Sequence, residues 1–393
     1  MRWRSDASAI GYCSTDWSAI YGDPAASLQV GNLCAMAGGR SRAATIALLA
    51  TMASACASAQ LTHDATETTA AETDAALAQP DKIPCEVSRL LVPSCGAWFG
   101  ASTPSHDGTY DYRRGLEEYE QLVGVEPDIL HFYQRGSEPF PTVEHKALAE
   151  RPGHARSILY INWKPAPELT WRQIADGAAE ASIASVASGL IDYPHQLFLT
   201  IQHEPEDDVI DEAGSGMTPA DYVAMYRHVV AGLRMLGVDN VVFVMGYMGF
   251  ERWSSMVDRL YPGDDVVDWI AYDPYGFASH DTFPEVLNDP GDDGWPGFYL
   301  WATEKSPGTP IMLAEWGFDL RRRTRAPEML GEATASLQRE FPMIKALVYW
   351  NDRGERVDAR LGQEGDIASR FTQAYTELAL DPYFNETPIE LAP

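Results

Sequence analysis

Basic residues are scarce in this 393-residue chain, and cysteine is scarcer still. Lys and Arg total 29 against 57 Asp and Glu, so the formal net charge is −28. A field of that sign repels phosphate backbones, and nucleic acid is therefore not an expected partner. The five cysteines include no Cys-x-x-Cys pair, which argues against a structural zinc site or a disulfide framework. No apolar run reaches the length of a membrane span, so none is predicted.

Two cofactor motifs are missing as well. The first apolar run, GAWFGAS, contains no Gly-x-Gly-x-x-Gly turn for a dinucleotide and no His-x-His pair for a metal. The pair His203-Glu204 begins like a zinc-protease motif, but the fifth residue is Asp207 and Pro205 would break the required helix. The sequence therefore predicts neither a metal nor another cofactor.

Apolar material is plentiful, at 45% of all residues, and it recurs in short runs rich in β-branched and aromatic residues. Eight runs follow one another at the spacing of a βα unit, and their continuous apolar character is typical of strands buried on both faces. They are GAWFGA (96–101), ILHFY (129–133), SILYINW (157–163), LFLTIQ (197–202), VVFVMGY (241–247), VVDWIAY (266–272), PIMLAEW (310–316) and ALVYW (346–350). This count predicts an α/β fold of the (β/α)₈ barrel type. A doubly wound open sheet is the alternative, but it lacks its glycine-rich turn here.

The N-terminal part of the chain has the composition of an export signal. Residues 40–60 place two arginines before an apolar stretch and an Ala-x-Ala cleavage site, so we expect a secreted protein. We predict an upstream extension and signal over 1–59 with a true start at Met36, an acidic linker over 60–83, the barrel over 84–382 and a tail over 383–393. Lipid attachment at Cys56 is the alternative.

Cys85 and Cys95 would close a short loop in an oxidising compartment, or remain two thiols.

Two glutamates follow apolar runs at the places where barrel enzymes keep their chemistry. Glu204 closes LFLTIQHE and Glu315 closes IMLAEW, at the carboxyl ends of the fourth and seventh strands. Burying a carboxylate is costly unless pairing or function offsets the cost, although a single glutamate is as often a strand-end cap. Paired carboxylates across a pocket are what glycoside hydrolysis requires: one donates a proton, and the other attacks the anomeric carbon or activates water.

Several segments share an order and spacing with one known family. They are IADGAAEASI, QHE, YRHVVAGLRMLGVDNVVFVM, YPGDDVVDWIAYDPY and PIMLAEWG, within residues 95–352. Together they resemble glycoside hydrolase family 26, which includes retaining β-mannanases and related β-glycanases. The chain departs from the family pattern around Glu204: Thr200-Ile201-Gln202 replace an Arg-Pro pair, and Pro205-Glu206-Asp207-Asp208 replace a tryptophan-rich segment that shapes sugar subsites.

The resemblance implies a role for each matching residue. It makes Glu204 the general acid/base and Glu315 the nucleophile. His203 would hydrogen-bond near the cleavage point, Tyr275 would hydrogen-bond the nucleophile and keep it ionised, and Trp350 would form an aromatic floor for the sugar.

Three further residues complete the predicted substrate-binding set. Asp273 belongs to the Asp-Pro-Tyr motif of Tyr275. Trp98 and Trp163 lie in or at the ends of strands, where they would stack on sugar rings or fill the core. The resulting expectation is a monomeric, secreted retaining glycosidase that cleaves mannan or a related β-linked polysaccharide. The alternative is a carbohydrate-binding barrel without activity.

Overall fold

The computed structural model describes residues 85–276, 279–291, 293–321, 325–355 and 357–385. The predicted signal, its start at Met36, the alternative lipid site at Cys56 and the linker over 60–83 lie outside the described residues, as does the predicted tail beyond 385. Within the described ranges, no helix combines the length and apolar character needed to cross a bilayer.

Eight parallel strands close into a barrel, and a two-residue strand extends it at one edge. The strands are β1 (Trp98–Ser102), β2 (Ile129–Arg135), β3 (Ile158–Lys164), β4 (Leu197–Ile201), β5 (Val241–Tyr247), β6 (Trp269–Tyr272), β7 (Tyr275–Gly276), β8 (Ile311–Phe318) and β9 (Ile344–Trp350). Neighbours along the chain pair from β1 to β6, β6 pairs with β8, and β9 returns to β1, while β7 pairs only with the end of β8. The predicted (β/α)₈ barrel is confirmed, and every predicted apolar run coincides with a barrel strand.

Helices surround the barrel. They are α1 (Tyr112–Val123), α2 (Val143–Ala149), α3 (Trp171–Ala175), α4 (Glu180–Ile191), α5 (Pro205–Asp208), α6 (Pro219–Met235), α7 (Ser254–Leu260), α8 (Phe283–Leu287), α9 (Phe298–Lys305), α10 (Ala326–Leu330), α11 (Ala333–Arg339), α12 (Asp366–Ala379) and α13 (Pro382–Asn385). Thr218 caps α6 and is followed by Pro219, a pair typical of the start of a helix. The Ala-rich stretch 170–190 forms two helices, α3 and α4, because Gly177 adopts a φ of +93° between them.

The strands bury side chains on both faces. Tyr160, Phe198 and Trp269 belong to an inner cluster within the barrel, whereas their neighbours Leu159 and Leu199 pack outward against the helices. This alternation follows from the period of two along a strand. It also determines which residues reach the mouth of the barrel at the carboxyl ends of its strands.

A short disulfide loop closes the opposite, amino-terminal end of the barrel. Cys85 and Cys95 are bonded. Leu91, between them, is 0% exposed and belongs to the inner cluster. Trp98 donates its indole N–H to the Leu91 carbonyl and Trp269 donates to the Leu90 carbonyl, each at 2.7 Å. The loop therefore forms the floor of the barrel.

Replacing Cys85 and Cys95 together by serine should lower the free energy of unfolding by about 2–3 kcal/mol, because the cross-link restricts the unfolded chain. Urea denaturation of the two proteins measures the difference. Wild type treated with a reductant should match the double variant, and the reductant should leave the double variant unchanged. Equal unfolding midpoints with and without the bond would contradict the prediction.

Candidate active site at the carboxyl ends of the strands

Glu315 faces the barrel mouth because of a β-bulge in β8. Leu313 pairs with Leu347 on β9, but Trp316 pairs with Tyr349, so β8 has one more residue than its partner here. Ala314 lies in the inner cluster and Trp316 in the outer one. In a regular strand the side chains of residues 313 and 315 would both point outward. The extra residue interrupts this alternation, so Glu315 can point inward. The bulge thus positions a carboxylate that is only 8% exposed.

Two tyrosines donate hydrogen bonds to the Glu315 carboxylate, one to each oxygen. Tyr133, near the end of β2, donates to Oε1 at 2.6 Å, and Tyr275 in β7 donates to Oε2 at 3.1 Å. Asp273 accepts the backbone N–H of Glu315 at 2.9 Å. Burial raises the pKa of Glu315 to about 7, although the two tyrosine hydrogen bonds lower it. The donors therefore favour the charged form of a carboxylate that burial would otherwise neutralise.

Glu204 follows β4 in an unusual backbone conformation. Its φ is 50° and its ψ is 50°, in the left-handed region that costs a residue with a side chain about 1–2 kcal/mol. Gln202, two residues earlier, also has a positive φ of 55°. The Glu204 N–H donates to the carbonyl of Gly246 on the neighbouring strand at 3.1 Å. Strain of this kind is retained where the surrounding structure holds it, and it is frequent at functional sites.

The two glutamates at the mouth differ in their pKa because they differ in their electrostatic surroundings. Burial raises the pKa of Glu204 well above its usual range, and the negative charge of Glu315 raises it further. Among the described residues, no side chain donates a hydrogen bond to the Glu204 carboxylate, in contrast to Glu315. When the pair loses its first proton, Glu315 is therefore the member that ionises, and Glu204 keeps the other proton.

His203 and Trp350 border the two carboxylates. The His203 ring lies edge-on to Tyr133 with a centroid distance of 5.7 Å. Burial lowers the pKa of His203 well below its usual range, so the ring is neutral and can accept or donate one hydrogen bond. Trp350 is half-buried at the end of β9, and its ring is perpendicular to that of Tyr275 at 6.0 Å. These rings form part of the wall around the carboxylate pair.

Three residues predicted to bind substrate do not reach the mouth. Trp98 and Trp163 are both 0% exposed, so neither ring can stack on a sugar. Trp98 begins β1 at the floor of the barrel, and Trp163 packs outward against Phe140 and donates its indole N–H to a backbone carbonyl. Asp273 is 2% exposed and holds the backbone of Glu315 instead of contacting the opening. The burial of Trp98 and Trp163 favours the core-filling alternative, and Asp273 supports the backbone of Glu315.

The structure adds residues that the sequence analysis did not single out. Tyr133 points inward near the end of the second apolar run, ILHFY. Its position at the end of that run is the feature of the sequence that could have indicated a place at the mouth. Lys164 ends β3 and bonds Asp208 at 3.0 Å, and Gln202 donates to the same carboxylate at 2.7 Å. Lys164 lies close enough to Glu204 to oppose the rise of its pKa.

Within the described parts of the chain, no group of three His, Cys, Asp or Glu residues could hold a metal ion.

Several solved structures align with this chain at low sequence identity. A crystal structure of an engineered protein aligns at a TM-score of 0.50 and 17% identity, over 73% of this chain and 69% of that chain. A ruminal GH26 endo-β-1,4-mannanase aligns at 0.49 and 17% identity, over 75% of this chain and 65% of its own length. A GH26 β-mannanase from Bacteroides ovatus aligns at 0.48 and 15% identity, over 76% and 95%. No family model and no curated protein matches the sequence.

Proposed function

We propose that this chain is a retaining glycoside hydrolase that cleaves β-linked polysaccharide, with Glu315 as nucleophile and Glu204 as general acid/base. The observation that supports this most directly is the pair of carboxylates at the barrel mouth, with Glu315 buried and Glu204 half-buried. The charge of Glu315 raises the pKa of Glu204, and the two carboxylates differ in their hydrogen bonds. A nucleophile must be charged and an acid must be protonated before the first step, and the two environments favour that division.

In the proposed first step, an oxygen of Glu315 attacks the anomeric carbon while Glu204 gives its proton to the departing glycosidic oxygen. The charge on Glu315 disappears as the covalent bond forms, so the pKa of Glu204 falls. Glu204 then removes a proton from water, which attacks the anomeric carbon from the opposite side and releases the sugar with its original configuration. Tyr133 and Tyr275 hold the Glu315 oxygens before attack and stabilise the carboxylate when it leaves.

Mannan is the first substrate to test, because the solved structures that share the fold include GH26 mannanases. Release of reducing sugar from mannan, mixed-linkage glucan, xylan and arabinan measures the activity and the sugar preference. Proton NMR of the first product distinguishes the stereochemical course, and we expect the β-anomer to appear first. An α-anomer would overturn the retaining mechanism, and no release from any polymer would favour a binding protein without activity.

Removing either tyrosine hydroxyl should shift the pH dependence. In Tyr133→Phe and Tyr275→Phe, Glu315 loses a donor to its charged form, so its pKa rises and the ascending limb of kcat/KM moves to higher pH. We also expect kcat to fall about 10- to 100-fold, because the carboxylate is less well stabilised as it leaves.

Tyr119→Phe provides the matched control for these variants. It removes a buried tyrosine hydrogen bond of 2.8 Å to Tyr375 in the outer layer. Its pH profile should match that of wild type. Profiles for Tyr133→Phe and Tyr275→Phe that coincide with this control would contradict the assigned contacts.

We also propose that the protein is secreted. The export signal predicted within residues 1–59 supports this, and so does the bond between Cys85 and Cys95, since disulfides persist mainly in oxidising compartments. Fractionation of the native host, followed by N-terminal sequencing, tests the proposal. A cytosolic protein that still begins with Met1 would contradict it.

A further inference from the structure

Glu206 is a buried carboxylate beside Glu204 that the proposed reaction does not use. It lies in the one-turn helix α5 and is 1% exposed. Its Oε1 accepts the backbone N–H groups of Met248 at 2.9 Å and Gly249 at 3.2 Å, directly after β5. Its Oε2 is buried and has no hydrogen-bond partner among the described residues. Such a group is costly to bury, and its retention requires a reason.

The turn that binds Glu206 requires a glycine. Gly249 has a φ of +77°, in the region that side chains rarely adopt. A Cβ there would lie 3.0 Å from the ring of Phe298 and 3.1 Å from Cβ of Tyr272. Two successive amides that converge on one oxygen form an arrangement suited to a negative charge. The turn after β5 is therefore built to hold the Glu206 carboxylate.

We propose that Glu206 is a positioning residue for Glu204. The inference rests on the proposed function, in which Glu204 is the acid/base. Glu204 is attached to β5 on one side by its own N–H, which donates to Gly246, and on the other side by Glu206, which binds the turn that follows β5. These two attachments flank the residue with the left-handed backbone. Without the second one, α5 is still held through Asp208 and Asp207, but it is no longer fixed to the turn after β5. The left-handed conformation can then relax and turn the Glu204 carboxylate away.

Glu206 also contributes charge. Burial raises the pKa of Glu206 to about 7, although its hydrogen bonds from backbone amides lower it. When ionised, it favours the protonated form of Glu204. The titratable and charged groups that face the two residues are Asp207 from α5, Tyr222 from α6, Tyr247 from β5, Asp273 after β6, Lys164 from β3, Tyr275 from β7 and Glu315 from β8.

Two substitutions of Glu206 distinguish its role in positioning Glu204 from the effect of its negative charge. In Glu206→Gln, the amide oxygen still accepts from the turn, but the charge is lost. The pKa of Glu204 should fall, so the descending limb of kcat/KM should move to lower pH by about one unit, with little change in kcat at the optimum. In Glu206→Ala, the attachment is also lost, and kcat on mannan should fall about 10- to 100-fold while KM changes less than about threefold.

Leaving-group dependence distinguishes positioning of the acid from a general loss of structure. A 2,4-dinitrophenyl β-mannobioside needs no proton for its first step, so Glu206→Ala should reduce its kcat/KM much less than that of mannan. Equal losses on both substrates would overturn the proposal, as would an unchanged pH profile in Glu206→Gln. Glu212→Gln is the matched control, because Glu212 is exposed in the same acidic segment, and it should behave like wild type.

A measurement without substrate keeps this test separate from that of the proposed function. Carbon-13 NMR of glutamate carboxyls, with Glu204→Gln to assign the signal, reports the titration of Glu204 directly. Its midpoint should fall in Glu206→Gln and stay in Glu212→Gln. If it falls while every polysaccharide is left intact, the function fails and the coupling of Glu206 to Glu204 stands. If it does not fall, the inference fails whatever the activity.

Discussion

Replacing Glu315 by alanine should lower kcat on polysaccharide by about 10⁴-fold or more, because the variant lacks the carboxylate that we propose as the nucleophile. Binding of the polymer should change less than about threefold, since the other residues around the mouth remain. The variant leaves a space between the hydroxyls of Tyr133 and Tyr275, which both point at the missing carboxylate. Turnover on mannan and affinity electrophoresis in a mannan gel measure the two quantities.

Azide added to Glu315→Ala provides a second test of the role of Glu315. A small anion that enters the space left by Glu315 attacks a dinitrophenyl β-glycoside from the side opposite the leaving group, and the product is an α-glycosyl azide. Glu304→Ala is the control, because Glu304 is an exposed glutamate on α9. Activity of Glu315→Ala within about 100-fold of wild type would remove Glu315 from the mechanism. A wild-type protein that binds polymer but never cleaves it would favour the carbohydrate-binding alternative.

Replacing Glu204 by alanine should give a different pattern. Mannan hydrolysis should fall about 10³- to 10⁴-fold, since the leaving sugar then departs without a proton. A dinitrophenyl β-mannobioside should still form the covalent intermediate quickly and then stall, because the base for the second step is absent. Rapid mixing should therefore show a burst of dinitrophenolate followed by slow turnover.

Azide should also restore turnover in Glu204→Ala, with the opposite stereochemistry. Here the anion replaces water in the second step, so the product is a β-glycosyl azide. The two variants together assign the roles without reference to any other protein. An α-glycosyl azide from Glu204→Ala would reverse the assignment, and equal losses on both substrates would exclude Glu204 as the proton donor.

The barrel and its strands were predictable because the information is local. Each strand is a short apolar run, and each connection has the length of a βα unit, so residue type and spacing suffice. The same pattern locates Glu204 just after β4 and Glu315 in the second half of β8. The break between α3 and α4 is equally local, since the pair Asp176-Gly177 inside an Ala-rich stretch is a common helix stop.

The details of the site depend on features that sequence patterns do not express. The inward orientation of Glu315 requires one extra residue in β8 relative to β9, and that count exists only between two paired strands. The burial of Trp98 and Trp163 depends on which face of each strand they occupy and how deep they lie. Tyr133 and Glu315 belong to the second and seventh barrel strands, which are far apart in the chain. The sequence of neither segment predicts that these two side chains form a hydrogen bond.

The floor of the barrel determines how the protein can be attached to a support. Trp98 and Trp269 hold the disulfide loop at the amino-terminal ends of their strands, whereas Glu204 and Glu315 lie at the carboxyl ends. Anything fused or immobilised immediately before Cys85 therefore joins the molecule at the pole opposite the carboxylates. A surface tether placed there leaves the mouth of the barrel directed away from the support.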